Sequence, residues 1–160
     1  MGKLVKDLDI VINNLEPTSD LFKSMQEIRA VLQDKEEEMM RILHTALCNG
    51  LCYVQGYGLD IDISDDDYTA AKDDLKRSVE DGVGFCAEDV LMHHLRLGKT
   101  LYFIDGEGEE RVGFDIDQVV TNLQNPIAAK HISDILSEND DAITADCIIQ
   151  ICLFNDIIYG

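Results

Sequence analysis

TSDLFKSMQEIRAVLQDKEEEMMRILHTALCNG, residues 18–50, is the stretch whose reading decides the fold. Leu21, Phe22, Met25, Ile28 and Leu32, then Met39, Met40, Leu43 and Leu47, recur at helical spacing. Thr18 and Ser19 are N-cap candidates, and Asn49-Gly50 is the kind of pair that commonly ends a helix. Between the two apolar groups lies Gln33 to Glu38, QDKEEE, with no hydrophobe. Read without a break, this is a helix of about 29 residues and about 43 Å, comparable with the full diameter of a 160-residue globule. Either the acidic tract interrupts it, or it runs past the domain and pairs with a second copy of the chain. The single long helix is the preferred reading, with a homodimer through it as its corollary.

Toward the N-terminus, Leu4, Val5, Leu8, Val11, Ile12 and Leu15 form one stripe of an amphipathic helix that must stop before Pro17. After Gly50 the period changes to two. Leu59, Ile61 and Ile63 alternate with Asp60 and Asp62, as in a strand with one dry and one wet face. Ser64 then reads as an N-cap, with Asp65, Asp66 and Asp67 in the first turn of a helix to about Ser78, where the macrodipole favours anions. Gly82-Val83-Gly84 precedes a short helix from about Ala87 to Leu97, closed by Gly98. Leu101–Ile104 and Val112–Ile116 are strand-like around a glycine-containing loop. Asp117–Leu123 and Asn125-Pro126 through Leu136 predict two more helices, and the nearly all-apolar Ala142–Phe154 predicts a buried one, followed by a packed tail at Asp156–Tyr159. The expected class is α+β: one mostly helical domain over 1–160, with a helical part at 1–50, an acidic body at 51–160 and a small antiparallel sheet.

The chain carries 32 Asp+Glu against 13 Lys+Arg, a net charge of −19, yet 46% of its residues are hydrophobic and only two are proline. Disorder requires low hydrophobicity as well as charge, so a folded core is expected. No stretch is apolar enough to span a membrane and the first residues lack a signal peptide's apolar segment, which predicts a cytoplasmic protein. An odd count of five irregularly spaced cysteines points to reduced thiols. Residues 1–50 hold nine acids and six bases; residues 51–160 hold 23 acids and seven bases. Such a field disfavours direct binding to nucleic acid or anionic membrane and favours encounter with a basic protein surface.

Several local patterns invite chemistry. Asp60 to Asp67 begins like a calcium-binding EF-hand loop, but a loop starting at Asp60 puts Asp65 at the turn glycine and Ala71 at the bidentate Glu. His44-x3-Cys48-x3-Cys52 would share a helix face if the helix continued, but Asn49-Gly50 is expected to end it between the cysteines, leaving both packed at a helix end. Cys147 and Cys152 lie among isoleucines and read as core residues. Near Cys86, Glu88 and Asp89, His94 falls at the centre of an apolar arc and His93 at its edge, which suits a core and a surface histidine better than a catalytic pair. Gly56/Gly58, Gly82/Gly84 and Gly106/Gly108 do not extend into phosphate-binding loops. No catalytic residue, metal ligand or cofactor is assigned from the sequence.

The acidic surface remains. Asp60 and Asp62, and Asp115 and Asp117, are i, i+2 pairs that on a strand lie about 6.6–6.8 Å apart, of the order of neighbouring phosphates on one nucleic-acid strand. The expectation is a small non-enzymatic interaction protein, of inhibitor or immunity type, that occupies the basic nucleic-acid-binding surface of a partner. Its contact residues would be Asp60, Asp62, Asp65, Asp66, Asp67, Asp73 and Asp74, then Glu107, Glu109 and Glu110. Two alternatives differ in kind. One is a divalent-metal-dependent hydrolase using clustered carboxylates such as Asp105, Glu107, Glu109 and Glu110 near Lys99; the other is a helix-mediated homodimer with incidental acidity.

Overall fold

A computed structural model describes residues 2–79, 83–105 and 110–159, with Asp105 described by its backbone alone. Helix α1 (Lys3–Ile12) leads to the long α2 (Asp20–Gly56), then strand β1 (Leu59–Asp62), α3 (Asp65–Ser78) and α4 (Ala87–Arg96). Strands β2 (Leu101–Asp105) and β3 (Arg111–Phe114) follow, then α5 (Ile116–Asn122), a 3₁₀ turn at Pro126–Ala128, α6 (Ala129–Leu136) and α7 (Ala142–Phe154). This is the mostly helical α+β domain with a small antiparallel sheet and a long N-terminal helix that the periodicity predicts.

Helix α2 is longer than expected, 37 residues and about 55 Å. Ser19 caps it, its hydroxyl accepting from Phe22 N at 3.1 Å. The predicted stop at Gly50 is wrong: the helix continues six residues further and turns at Gly58, whose φ of 95° only glycine adopts freely. Gly50 is buried because α2 crosses α7 there. A Cβ on it would meet Asp146 N at 2.7 Å and the carbonyl carbon of Ala145 at 2.8 Å, so the missing side chain lets two helix backbones touch.

The hydrophobe-free tract does not break α2, because its carboxylates are docking points. Glu36 is buried and accepts Gly2 N–H at 2.7 Å; Glu37 takes both arms of Arg96 at 2.8 and 2.9 Å. The half of α2 that outruns the core is met by α1, which folds back on it through buried Val5 and Ile12 and an Asp9–Arg29 ion pair. The predicted apolar stripe of α1 is only partly covered, since Leu4 and Val11 are exposed. Leu21, Ile28 and Val31 of α2 are exposed as well.

The other half of α2 builds the core: Met40, Leu43, Ala46, Leu47 and Val54 lie against Ala145, Ile148, Ile149 and Cys152 of α7. The sheet order is β1-β2-β3, both pairs antiparallel, with Ile61 opposite Phe103 and Phe103 opposite Val112. Its inner face adds Leu59, Leu101, Phe103 and Phe114 to the same core. In α7 the polar Asp146 and Gln150 are buried but satisfied. Tyr57 OH donates to Asp146, Gln150 Nε2 donates to Asp146 at 2.9 Å, and Gln150 Oε1 accepts from Ile158 N and Tyr159 N at 2.8 and 2.7 Å. The C-terminal tail is thus pinned to the body as expected, with the Tyr159 ring stacked on Tyr57 at 4.4 Å. Among the described residues no helix is long and apolar enough to cross a membrane.

Gly50→Ala should lower stability by about 1–3 kcal/mol through overpacking, although alanine is the better helix former by about 1 kcal/mol. Urea denaturation reads the difference, and a stabilised variant would refute the close crossing. The guanidinium of Arg96 holds the Glu37 carboxyl below its usual range. Its contribution is therefore present above the ordinary glutamate pKa of about 4.3 and is lost as pH falls through the depressed value. Glu37→Gln should cost about 0.2–1 kcal/mol at pH 7, with the gap to the native protein closing as pH falls through the depressed Glu37 value.

Candidate functional site

Strand β1 is an edge strand that runs through Ser64 straight into α3, which gathers the first group of predicted acids into one corner. Ser64 is the N-cap, accepting Asp67 N–H at 3.1 Å and donating to Asp67 Oδ2 at 2.9 Å, with Asp65, Asp66 and Asp67 in the first turn. This is the strand running into a capped helix that the sequence predicts in place of an EF-hand loop.

The corner is not uniformly bare. Asp62 pairs with Arg111 at 2.6 Å, and the guanidinium lies 3.8 Å over the Tyr102 ring. Asp67 lies 3.9 Å from Lys99. Asp74 binds His93 Nε2 at 2.8 Å and Arg77 at 2.9 Å, and these hydrogen bonds, that of His93 foremost, hold its carboxyl below the usual range. Asp60, Asp65, Asp66 and Asp73 are exposed and form no ion pair among the described residues. The seven predicted contact acids therefore divide into three anchored by bases and four free to meet a partner. Asp66 and Asp73, seven residues apart on α3, share one stripe about 10.5 Å apart along the axis.

Of the second group, Glu110 is exposed beside β3, while Glu107 and Glu109 lie outside the described residues, as do Gly82, Gly106 and Gly108. Of the carboxylates of the divalent-metal alternative, those of Asp105, Glu107 and Glu109 lie outside the described side chains, and Lys99 lies 3.9 Å from Asp67. Asp115 and Asp117 are not a strand pair. β3 ends at Phe114, Asp115 caps α5 by accepting Gln118 N–H at 2.9 Å, and Asp117 accepts Lys3 N–H at 2.7 Å. Both are spent on backbone N–H groups.

The cysteines and histidines sort differently from expectation. Cys147 and Cys152 are buried and His94 is a core histidine 3.2 Å from the Thr100 carbonyl, as predicted. His93 is tied to Asp74 rather than free at the surface. Cys48 and Cys52 do not pack at a helix end: α2 continues and leaves both exposed. His44 and Cys48, one turn apart, instead face Cys86 and Asp89 at the start of α4. Partial burial, then the charge of Glu88, pushes the Cys48 thiol up, and hydrogen bonding to Glu88 pushes Cys86 up to about 11. Beside them a cleft of about 300 Å³ opens between α2, α3 and α4, floored by Met40, Leu75 and Met92 and rimmed by Arg41, His93 and Arg96. Sequence spacing could not bring residues 44 and 86 together, because their meeting depends on how α4 packs on α2.

Comparison with known protein-family models, curated proteins and solved structures finds no match for this chain. Its function is argued from its own surface. In the native protein, Cys52 should be modified readily by a thiol reagent while Cys147 and Cys152 become reactive only on unfolding; rapid native labelling of Cys152 would contradict its complete burial.

Proposed function

We propose that this chain is a small, non-enzymatic interaction protein of the inhibitor or immunity type, whose acidic β1–α3 corner occupies the basic, nucleic-acid-binding surface of a partner protein. The observation that carries this reading is the division of the corner. Arg111, His93 and Arg77 anchor Asp62 and Asp74, while Asp60, Asp65, Asp66 and Asp73 project without a competing internal base among the described residues. A rigidly mounted set of free carboxylates is what electrostatic complementarity uses for fast, salt-sensitive association. Surface acidity spent only on solubility needs no such mounting.

The reading places the protein in the cytoplasm, and its five free cysteines are consistent with a reducing compartment. It also predicts competition. The partner's basic surface can hold nucleic acid or this acidic corner, but not both.

The test is capture on the immobilised full chain at low salt with elution by a salt gradient, followed by competition of the eluted partner against nucleic acid. The quadruple reversal Asp60→Lys, Asp65→Lys, Asp66→Lys and Asp73→Lys should weaken binding at least tenfold and flatten its salt dependence. Reversal of Glu16 and Asp20, which lie just before and at the start of α2, should leave it unchanged. Equal affinity and salt slope in the corner variant would reject the assignment.

A further inference from the structure

The side chains of His44, Cys48, Cys86 and Asp89 converge from two helices, with a His44–Asp89 ion pair bridging them. Their spacing is regular. His44-x3-Cys48 lies on one face of α2, and Cys86-x2-Asp89 forms the N-cap and third residue of α4. Two short-spaced ligand pairs, each on one local element and brought together by the fold, is the arrangement of protein zinc sites.

The distances fit the same chemistry. One ligand atom each from His44, Cys48 and Cys86 lies within 4.8 Å of the others. His44 Nε2 is 3.7 Å from Cys48 Sγ and 3.0 Å from Asp89 Oδ1. With Zn–S near 2.3 Å and Zn–N and Zn–O near 2.0–2.1 Å, tetrahedral angles set S···N at about 3.6 Å and N···O at about 3.3 Å. The His44–Cys48 and His44–Asp89 separations already stand close to two edges of such a tetrahedron. The carboxylate is held by a backbone hydrogen bond of the kind that orients metal-bound carboxylates: Asp89 Oδ2 accepts Cys86 N–H at 2.7 Å, which leaves Oδ1 turned to His44 Nε2.

We propose that His44 Nε2, Cys48 Sγ, Cys86 Sγ and Asp89 Oδ1 form a four-coordinate site for a zinc-class divalent ion that clamps α2 to the N-terminus of α4. Two sulfurs and an imidazole select such an ion over magnesium or calcium, which take oxygen ligands. Four protein ligands close the site, so its role is structural. α4 in turn carries His93, which holds Asp74 of the acidic helix, so the clamp steadies the mounting of the proposed binding corner without belonging to it. Cys52, one turn beyond Cys48 and exposed, is not a ligand.

Cobalt(II) is the probe. The full-length protein, kept reduced, should take up one Co(II) per chain with thiolate-to-metal charge-transfer absorption and tetrahedral visible bands. Zn(II) should bleach both, and excess Mg(II) or Ca(II) should not. Cys48→Ser and Cys86→Ser should each weaken Co(II) at least tenfold, Asp89→Asn should weaken it and alter the visible bands, and Cys52→Ser should behave as the native chain. Zn(II) should also protect Cys48 and Cys86 from alkylation while leaving Cys52 reactive. Absence of charge-transfer bands in the native reduced protein would overturn the proposal, whatever the variants do. Equal loss in Cys52→Ser, or retention in both ligand variants, would overturn it too. Because these readouts do not involve a partner, failure of the clamp and failure of the acidic corner are separately visible.

Discussion

The contact on which the rest of the structure depends is the crossing of α2 and α7 at Gly50. Two helix backbones meet there at a separation that excludes even one methyl group. Glycine within a helix costs about 1 kcal/mol relative to alanine, and that cost is offset by the packing it allows on both sides of the crossing. Because α2 passes through this point without ending, its last turns carry Tyr57 to Asp146. Its earlier turns carry Met40, Leu43 and Leu47 into the core and hold His44 and Cys48 over the start of α4. Helix α7, pressed against α2, is apolar on nearly every side. Its two long polar residues are tolerated because Tyr57 and the C-terminal backbone complete their hydrogen bonds.

A second constraint is the length of α2. At about 55 Å it exceeds the diameter of roughly 39 Å expected for a compact chain of this size, so part of it has to find cover outside the main core. The acidic tract supplies it by docking rather than by hydrophobic burial. Glu36 receives the start of α1 and Glu37 receives Arg96 of α4, so residues that look like a solvated linker hold three helices together. The molecule thus uses its anions in two ways. Some are spent on backbone N–H groups and arginines, as Glu36, Glu37, Asp115 and Asp117 are; others, as in Asp60, Asp65, Asp66 and Asp73, are left for solvent or a partner.

Much of this was legible in the sequence for local reasons. Ser19, Ser64 and Asn125 cap helices where their spacing to the first apolar residue predicts, and Ala142–Phe154 is the buried helix that its composition demands. The period-two run at Leu59–Asp62 is a strand. What misled was also local. Asn49-Gly50 carries a stop signal, and only the tertiary crossing with Ala145 explains why the helix ignores it. Asp115 and Asp117 alternate like strand residues but sit at a capping box, a competing local motif that shares their spacing. The His44, Cys48, Cys86 and Asp89 cluster joins positions about 40 residues apart in sequence, and no periodicity within either segment reports a meeting that long-range packing decides.

All of these statements hang on α2 being continuous through residues 33–38 and 49–56. Native-state amide hydrogen exchange across α2 tests that most directly. The account predicts an unbroken run of protected amides from the acidic tract through Val54, slowest near Gly50 where the α7 backbone covers the helix. Fast exchange beginning at Asn49, or an unprotected gap at Gln33–Glu38, would contradict it. Either result would remove the crossing, the docked carboxylates or the clamp geometry at its source.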